Sequence, residues 1–381
     1  MMIKHLGIYV HIPFCVSKCA YCDFYSLPCE KQKITDGLKA DYVRALVRDM
    51  EQTARMHENA VIDTVFVGGG TPTLLPVSAI YELTGALKNI FDLSEIKEFT
   101  FEANPATFDT EKLNVMRECG VTRLSIGMQS ACDNELSALG RIHTFSDTQK
   151  AVELARSCGF DNLNLDIMYG IPYQTKESFL STLEKAFELS PEHVSVYGLQ
   201  LEEGTPLCKN RKSYAFPTED EECEMSSLIP HTLKKYGYHR YEISNYAKAG
   251  FECKHNLAYW TQGEYLGFGC GAYSFVNGER YYRKKDIKAY LACRDFNTLT
   301  VTDERLTEKD KVEEFIMLSL RLASGVSIEN LENMTDGAKT YIERAKKFVK
   351  LGLMKETDAH ISFTDEGFNV SNGIIAEIIY G

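Results

Sequence analysis

Near its start the chain reads Tyr9-Val-His-Ile-Pro-Phe-Cys15-Val-Ser-Lys-Cys19-Ala-Tyr-Cys22-Asp-Phe24. The three cysteines are spaced C-x3-C-x2-C and follow an apolar run, which puts them on a loop just past a first strand. Thiolates on such a loop can wrap one face of a cubane iron–sulfur cluster. These clusters normally take four cysteines. Three leave one iron without a protein ligand, free to chelate the amino and carboxylate groups of S-adenosylmethionine (SAM). A one-electron reduced cluster can then split the sulfonium and release a deoxyadenosyl radical. Zinc is the competing reading, but it favours two separated C-x2-C pairs or pairs with histidine. No second pair exists here. Cys29 lies seven residues past Cys22 and fits no common cluster spacing. A [4Fe-4S] cluster on Cys15, Cys19 and Cys22 is therefore expected, with SAM held on it.

Other polar residues recur where apolar runs end. Gly68-Gly69-Gly70-Thr71-Pro72-Thr73 comes straight off a predicted strand. Glycines there let the backbone approach a ligand and offer it N–H and C=O groups. Glu102 ends the next strand in Phe-Glu-Ala-Asn-Pro, where a carboxylate can accept hydrogen bonds from a ribose. Gln129 ends a strand in Ser-Ile-Gly-Met-Gln-Ser, Arg141 follows in Leu-Gly-Arg-Ile-His, and Asp166 lies in Asn-Leu-Asp-Ile-Met. Each alone reads as a tight turn or a solvated strand end. Their recurrence at successive strand ends makes chance a poor account.

The elements that carry them alternate. Short apolar runs stand at Ile8–Ile12, Thr64–Val67, Phe99–Phe101, Arg123–Ile126, Leu163–Ile167 and Val194–Leu199, each bounded by Gly, Pro or Asn. Between them lie helical patterns. Val43, Leu46, Val47 and Met50 share one face; Phe179, Leu183, Ala186 and Phe187 share another, after a cap at Thr175. A further helix runs from Ser146 to Cys158 and stops at Gly159. Such alternation means βαβ units and a parallel α/β sheet. Six strands suit a partial (β/α)6 barrel rather than the usual eight-stranded one; a flat doubly wound sheet is the alternative. The polar strand ends favour the barrel.

Residues 1–210 form this unit. From 211 to 300 the pattern changes: a helix from Glu219 to Tyr236, then an aromatic, glycine-rich stretch from Tyr238 to Tyr282, read as loops and short strands packed over something. Residues 301–381 read as a small winged-helix-like domain. Val312, Phe315, Ile316 and Leu320 mark one helix. Ala338, Tyr341, Ile342, Ala345 and Phe348 mark another, ending at Gly352. Leu353–Lys355 and His360–Phe363 form a two-stranded wing, with a last helix after Thr364. Docking suits it better than DNA binding, since Lys346, Lys347, Lys350 and Lys355 are few. No repeat or low-complexity segment appears.

The 381 residues carry a net charge of −12, with 44% hydrophobic and 25% charged residues and a pI near 5.4. So acidic a chain is not built to lie along a phosphate backbone. No apolar run is long enough to span a bilayer, and Met1–Gly7 lacks a signal-peptide pattern, so a cytoplasmic protein is expected. Its 12 cysteines are no disulfide framework in a reducing compartment. Cys119, Cys132, Cys158, Cys208, Cys223 and Cys293 are expected to act as small buried hydrophobes.

Taken together, the cysteine loop, the glycine turn and the strand ends resemble the radical SAM superfamily. Within it the chain looks like the group holding oxygen-independent coproporphyrinogen III oxidase and the HemW-type haem chaperones, over nearly its whole length. The resemblance implies a partial (β/α)6 barrel. It also implies SAM contacts at Tyr9, Gly69, Gly70, Thr71, Glu102, Gln129, Arg141 and Asp166, some of which serve a second SAM in the oxidase. The oxidase pattern has a fourth cysteine two positions past the third; Phe24 stands there in this chain. The oxidase also carries a long extension before its cysteines, whereas fourteen residues precede Cys15. Both departures match the chaperone pattern. So does His255-Asn256-Leu257-Ala258-Tyr259-Trp260, which resembles the chaperones' H-N-x-x-Y-W motif, associated with haem. A neutral imidazole can ligate haem iron, so haem is expected near His255, with Cys253 and Cys270 as competing ligands.

The resemblance thus implies a cytoplasmic chaperone that binds haem as cargo and passes it to an acceptor protein, such as a respiratory haem protein at the membrane, with a homodimer possible and no nucleic-acid partner. Two alternatives differ in class. One is a radical enzyme that decarboxylates coproporphyrinogen. The other is a structural iron–sulfur or zinc protein that binds no SAM.

Overall fold

The computed structural model describes residues 4–381; the reading of Met1–Gly7 as leaderless begins on residues 1–3, which lie outside them. Six strands run parallel in chain order: β1 (Lys4–Ile12), β2 (Ala60–Gly69), β3 (Glu98–Ala103), β4 (Arg123–Gln129), β5 (Leu163–Tyr169) and β6 (His193–Gly198). They are the six strands expected from the sequence. The crossovers are helices α1 (Asp36–Ala54), α2 (Val77–Ile90), α3 (Thr110–Glu118), α4 (Phe145–Ser157) and α5 (Lys176–Glu188). Helix α5 starts as expected at Thr175, whose hydroxyl accepts from the Ser178 N–H. Helix α4 stops before Gly159, which takes a left-handed φ of 82°.

The strands have two different faces. Ile8, Val10, Val65, Val67, Phe99, Phe101, Leu124, Ile126, Leu165, Ile167 and Val194 are buried against Val43, Leu46, Met50, Leu83, Leu113, Phe179 and Leu183 of the helices. The alternate positions are Tyr9, Glu98, Glu102, Arg123, Ser125, Asn164, Asp166, His193 and Ser195. A parallel sheet covered by helices on both faces would read as near-continuous apolar runs. The polar alternate face therefore lines a lumen, and the flat doubly wound sheet is excluded. Curvature follows from the site as well. Side chains from the loop after β1 and from β2, β3, β4 and β5 line one cavity. In a flat sheet the outermost of these strands would stand about 19 Å apart, at about 4.8 Å per strand.

The stretch expected as loops and short strands packed over something does form short strands, and they join this sheet at both edges. After α6 (Glu219–Lys235), strands β7 (His239–Arg240) and β8 (Asn245–Ala247) continue antiparallel beyond β6. Then α7 (Lys254–Trp260) leads to β9 (Tyr265–Phe268), which lies parallel to β1 as a seventh parallel strand, Gly7 opposite Tyr265. Strands β10 (Tyr273–Val276), β11 (Glu279–Arg283) and β12 (Thr300–Arg305) extend that edge antiparallel. The full order is β12-β11-β10-β9-β1-β2-β3-β4-β5-β6-β8-β7. These strands are too short for a periodic signal. Gly267 interrupts the pattern inside β9, where an added Cβ would stand 1.9 Å from the Tyr273 carbonyl oxygen.

The C-terminal part has its own hydrophobic cluster, from Val312 to Ile379. Helix α8 (Glu308–Ser319) precedes β13 (Val326–Ser327), α9 (Ile328–Met334), α10 (Ala338–Lys350), β14 (Met354–Glu356), β15 (His360–Phe363) and α11 (Ser371–Tyr380). The winged-helix-like reading needs two corrections: the wing has three strands, β13-β15-β14, and α9 is an extra helix. Lys346 and Lys347 pair with Glu343, Glu356 and Glu377, which compensates the basic face. The cysteine expectation is also corrected. Cys119 and Cys293 are buried, Cys132, Cys158 and Cys208 are half-buried, and Cys223 is exposed. Among the described residues, no helix is long and apolar enough to cross a membrane.

A bridge between Glu242 and Leu322 ties the barrel edge to this C-terminal part. The Glu242 side chain is fully buried, and burial pushes its carboxyl up to about 7. A raised acid binds more protons folded than unfolded between about pH 4.5 and 7, so its contribution to stability falls as pH rises through that window. Glu242→Gln should therefore gain stability relative to wild type as pH goes from 5 to 7.5. Urea unfolding at both values measures this; a pH-independent difference would contradict it.

Candidate functional site

The loop from Cys15 to Pro28 is closed at its neck, where Phe14 and Cys15 pair with Leu27 and Pro28. Its tip is held by backbone bonds, Ala20 N–H to Leu139 O at 2.9 Å and Leu207 N–H to Ala20 O at 2.8 Å. Cys15, Cys19 and Cys22 are unpaired and half-buried, and all three line one cavity of about 180 Å³. Thr71 Oγ1 lies 3.8 Å from Cys15 Sγ and Arg141 Nη1 lies 3.5 Å from Cys19 Sγ. Burial pushes the Cys15 thiol up to about 11 and raises that of Cys22. Cys29 is not on the cavity. No three His, Cys, Asp or Glu side chains among the described residues converge on a single metal ion. A cubane binds each thiolate on a different iron, so its sulfurs need to share a cavity, not a point.

The same cavity is lined by Gly69, Gly70, Thr71, Glu102, Gln129, Arg141 and Asp166. Seven of the eight residues expected at SAM thus come together. Tyr9 does not reach the cavity; its hydroxyl lies 3.0 Å from His11 Nδ1, and its ring stacks on Phe66. The glycines answer to crowding. A Cβ on Gly68 would stand 2.8 Å from the Glu102 carboxylate, and one on Gly70 would stand 2.7 Å from the Phe14 carbonyl oxygen. Gly69 has φ +107° and would put a Cβ 2.4 Å from the His11 ring. Gly69→Ala should therefore cost at least about 2 kcal/mol, measured as a shift in urea midpoint; an unchanged midpoint would contradict this. The Gly69 N–H donates to Glu102 Oε2 at 2.9 Å. Burial, then the nearby Asp166 charge, push Glu102 up to about 7.

Gln129 stands at a register shift between β4 and β5 with a left-handed φ of 57°, a strain of the kind held at functional sites. Ser26 Oγ, Asn104 Oδ1, Gln129 Oε1 and Arg141 Nε are buried without partners, and all four residues line this cavity. Buried polar atoms are rarely left so. A cluster with a polar ligand would supply what they lack, so the residues fit the group.

A second cavity of about 570 Å³ adjoins the first, sharing Tyr21, Cys22, Phe24, Glu102, Ser125, Gln129 and Asp166 with it, and reaches deeper into the lumen to Phe66, Arg123, Asn164 and Asn256. Below it the His255–Trp260 motif starts helix α7. The Glu98 carboxylate holds this helix by its start, accepting from the Lys254 N–H at 2.9 Å, the His255 N–H at 3.4 Å and the Cys253 thiol at 3.2 Å. His255 is buried. Its Nδ1 lies 2.8 Å from Thr64 Oγ1 and its Nε2 2.8 Å from the Tyr259 hydroxyl. Burial lowers its pKa to about 4, keeping the ring neutral. The motif thus closes the lumen at the end where the strands begin, opposite the cysteines. Asn256, not His255, faces the deeper cavity. Cys253 and Cys270 are buried away from both cavities. Sequence reasoning missed Glu98 and Arg123. The alternation Glu98-Phe99-Thr100-Phe101-Glu102 carried the signal, since period two puts both glutamates inward.

A partial parallel barrel with three cysteines on the loop after β1, facing a glycine turn, is the radical SAM architecture. Residues 9–186 match the family model for the Radical SAM superfamily, and residues 306–370 that for the HemN C-terminal domain. The chain is 33% identical to "Heme chaperone HemW" of Lactococcus lactis, covering 100% of this chain and 98% of that protein. It is 33% identical to the Bacillus subtilis protein of the same name, covering 97% and 98%, and 38% identical to the Escherichia coli one, covering 83% and 82%. Among solved structures, coproporphyrinogen III oxidase (HemN) from Escherichia coli superposes with a TM-score of 0.84 at 24% identity, covering 99% of this chain and 90% of that one. The chain belongs to the HemW family of radical SAM proteins. Membership of that superfamily implies a [4Fe-4S] cluster and SAM.

Proposed function

We propose that this chain is a haem chaperone built on a radical SAM barrel. Cys15, Cys19 and Cys22 hold the [4Fe-4S] cluster in the upper cavity. Gly69, Gly70, Thr71, Glu102, Gln129, Arg141 and Asp166 hold SAM beside it, with Tyr9 supporting them from β1. When bound, the cluster supplies a single electron and an open iron position for SAM. Arg141 sets a positive charge beside Cys19, and Glu102 and Asp166 would offer carboxylates to SAM's hydroxyl and cationic groups.

Haem is the cargo, bound in or beside the lumen near the His255 motif and passed to an acceptor protein, a membrane-bound respiratory haem protein being the kind expected. For His255 to become an axial ligand, its bond to Thr64 or Tyr259 must open. The division into a barrel (1–210), an extension (211–300) that completes its sheet and closes its lumen, and a C-terminal docking domain (301–381) belongs to this reading, as do a homodimer and a cytoplasmic location. The observation that carries the proposal is the full-length kinship with haem chaperones, joined to Phe24 standing where the oxidase pattern has a thiol.

The test is anaerobic. The protein is reconstituted with iron and sulfide, haem is added, and the absorption spectrum is recorded beside that of His255→Ala. In parallel, coproporphyrinogen, SAM and a reductant are offered. A haem spectrum altered in the variant, with porphyrinogen untouched, is the expected result. Consumption of porphyrinogen with deoxyadenosine formed would make the protein an oxidase instead.

A further inference from the structure

Arg123 stands on the lumen face of β4, is 2% exposed, and lines the deeper cavity. Its Nε has no partner. Glu98 and Asp166 act on it through space, yet neither is ion-paired to it in the structure. Glu98 is occupied by Thr100, Cys253, Lys254 and His255, and Asp166 accepts from Asn164 at 2.8 Å. A guanidinium cannot shed its proton, and an unpaired buried charge is strongly unfavourable. The fork of N–H groups matches a carboxylate bidentately. The cavity falls in the size range of small-molecule sites, about 300–1,000 Å³. Its walls add apolar surface from Phe66, Met168 and Phe24.

We propose that Arg123 is the anchor of a carboxylate-bearing ligand in the deeper cavity, and that this ligand is haem, held by a propionate. The proposal rests on the haem reading above and adds a residue and a chemical handle to it. Asp23, Glu102, Asp166 and Glu202 also line this cavity, and Arg123 is the cation among its lining residues, so the anchored carboxylate belongs at the guanidinium. SAM also carries a carboxylate and is the competing source.

The experiment titrates the reconstituted protein with haem and with haem dimethyl ester, which keeps the iron and the macrocycle but lacks both charges. Wild type should bind haem about tenfold or more tightly than the ester, the range of a charge-assisted hydrogen bond. Arg123→Gln should bring the two affinities together and leave SAM affinity unchanged, while Arg123→Lys should keep part of the preference. Equal affinities in wild type, or a preference that survives in Arg123→Gln, would overturn the anchor and leave the haem reading standing. A loss in Arg123→Gln that falls on SAM instead of haem would overturn the haem assignment of the site. Failure of wild type to bind either form would overturn the haem reading itself. If Arg123→Gln does not fold, the wild-type ratio and Arg123→Lys still decide.

Discussion

Replacing Cys15, Cys19 or Cys22 singly by alanine should reduce cluster iron from about four atoms per chain to near zero. The three thiols share one cavity of about 180 Å³, and no other cysteine lines it: Cys29 sits outside, and Cys253 and Cys270 are buried elsewhere. No substitute ligand is therefore at hand. SAM affinity should fall with the cluster, because the open iron position goes with it. The fold should remain, since the loop is tied at its neck by Phe14–Leu27 and Cys15–Pro28 pairing and at its tip by Ala20, none of which uses a sulfur. Iron and sulfide analysis after anaerobic reconstitution, with far-ultraviolet circular dichroism as the folding control, measures this. A variant that keeps a full cluster would show that its residue is no ligand.

Glu98→Ala should be strongly destabilising, costing at least about 1–3 kcal/mol, the penalty for leaving buried donors without an acceptor. The wild-type carboxylate is 4% exposed and accepts from two backbone N–H groups at the start of α7, the Cys253 thiol and the Thr100 hydroxyl. Removing it leaves these donors buried and unpaired, and deprives Arg123 of a nearby negative charge. The helix carrying His255, Asn256 and Tyr259 then loses its hold on the strand starts. Urea denaturation gives the magnitude. Glu98→Gln, which keeps some acceptor capacity, should cost clearly less. A loss below 1 kcal/mol in Glu98→Ala would contradict the capping role.

The parallel core was legible because each of its strands is a short β-branched or aromatic run between turn residues, and each crossover has a clear apolar face. The upper chamber was legible because most of its residues stand at or just past strand ends, as Gly69–Thr71, Glu102 and Gln129 do, a position that a sequence marks by the change from apolar to polar. Strand β9 was hidden: it has four residues, includes Gly267, and pairs with β1 more than 250 positions earlier in the chain, a long-range contact no local pattern encodes. The place of His255 was equally hidden. As a residue type it reads as a satisfied surface or core histidine, and it is the tertiary contacts with Thr64, Glu98 and Tyr259 that put it in a closed neutral setting. Arg123 drew no notice because an arginine opening a strand reads as a surface residue until the barrel curls it inward.

The central claim is that the cysteine loop and the strand ends form one chamber for a cluster and SAM. Electron paramagnetic resonance of the reduced, reconstituted protein tests it most directly, recorded with and without SAM for wild type and for Arg141→Leu. SAM binding at the open iron should change the wild-type cluster signal, and the change should weaken in Arg141→Leu, which removes the guanidinium beside Cys19. A cluster signal indifferent to SAM in wild type would contradict the account.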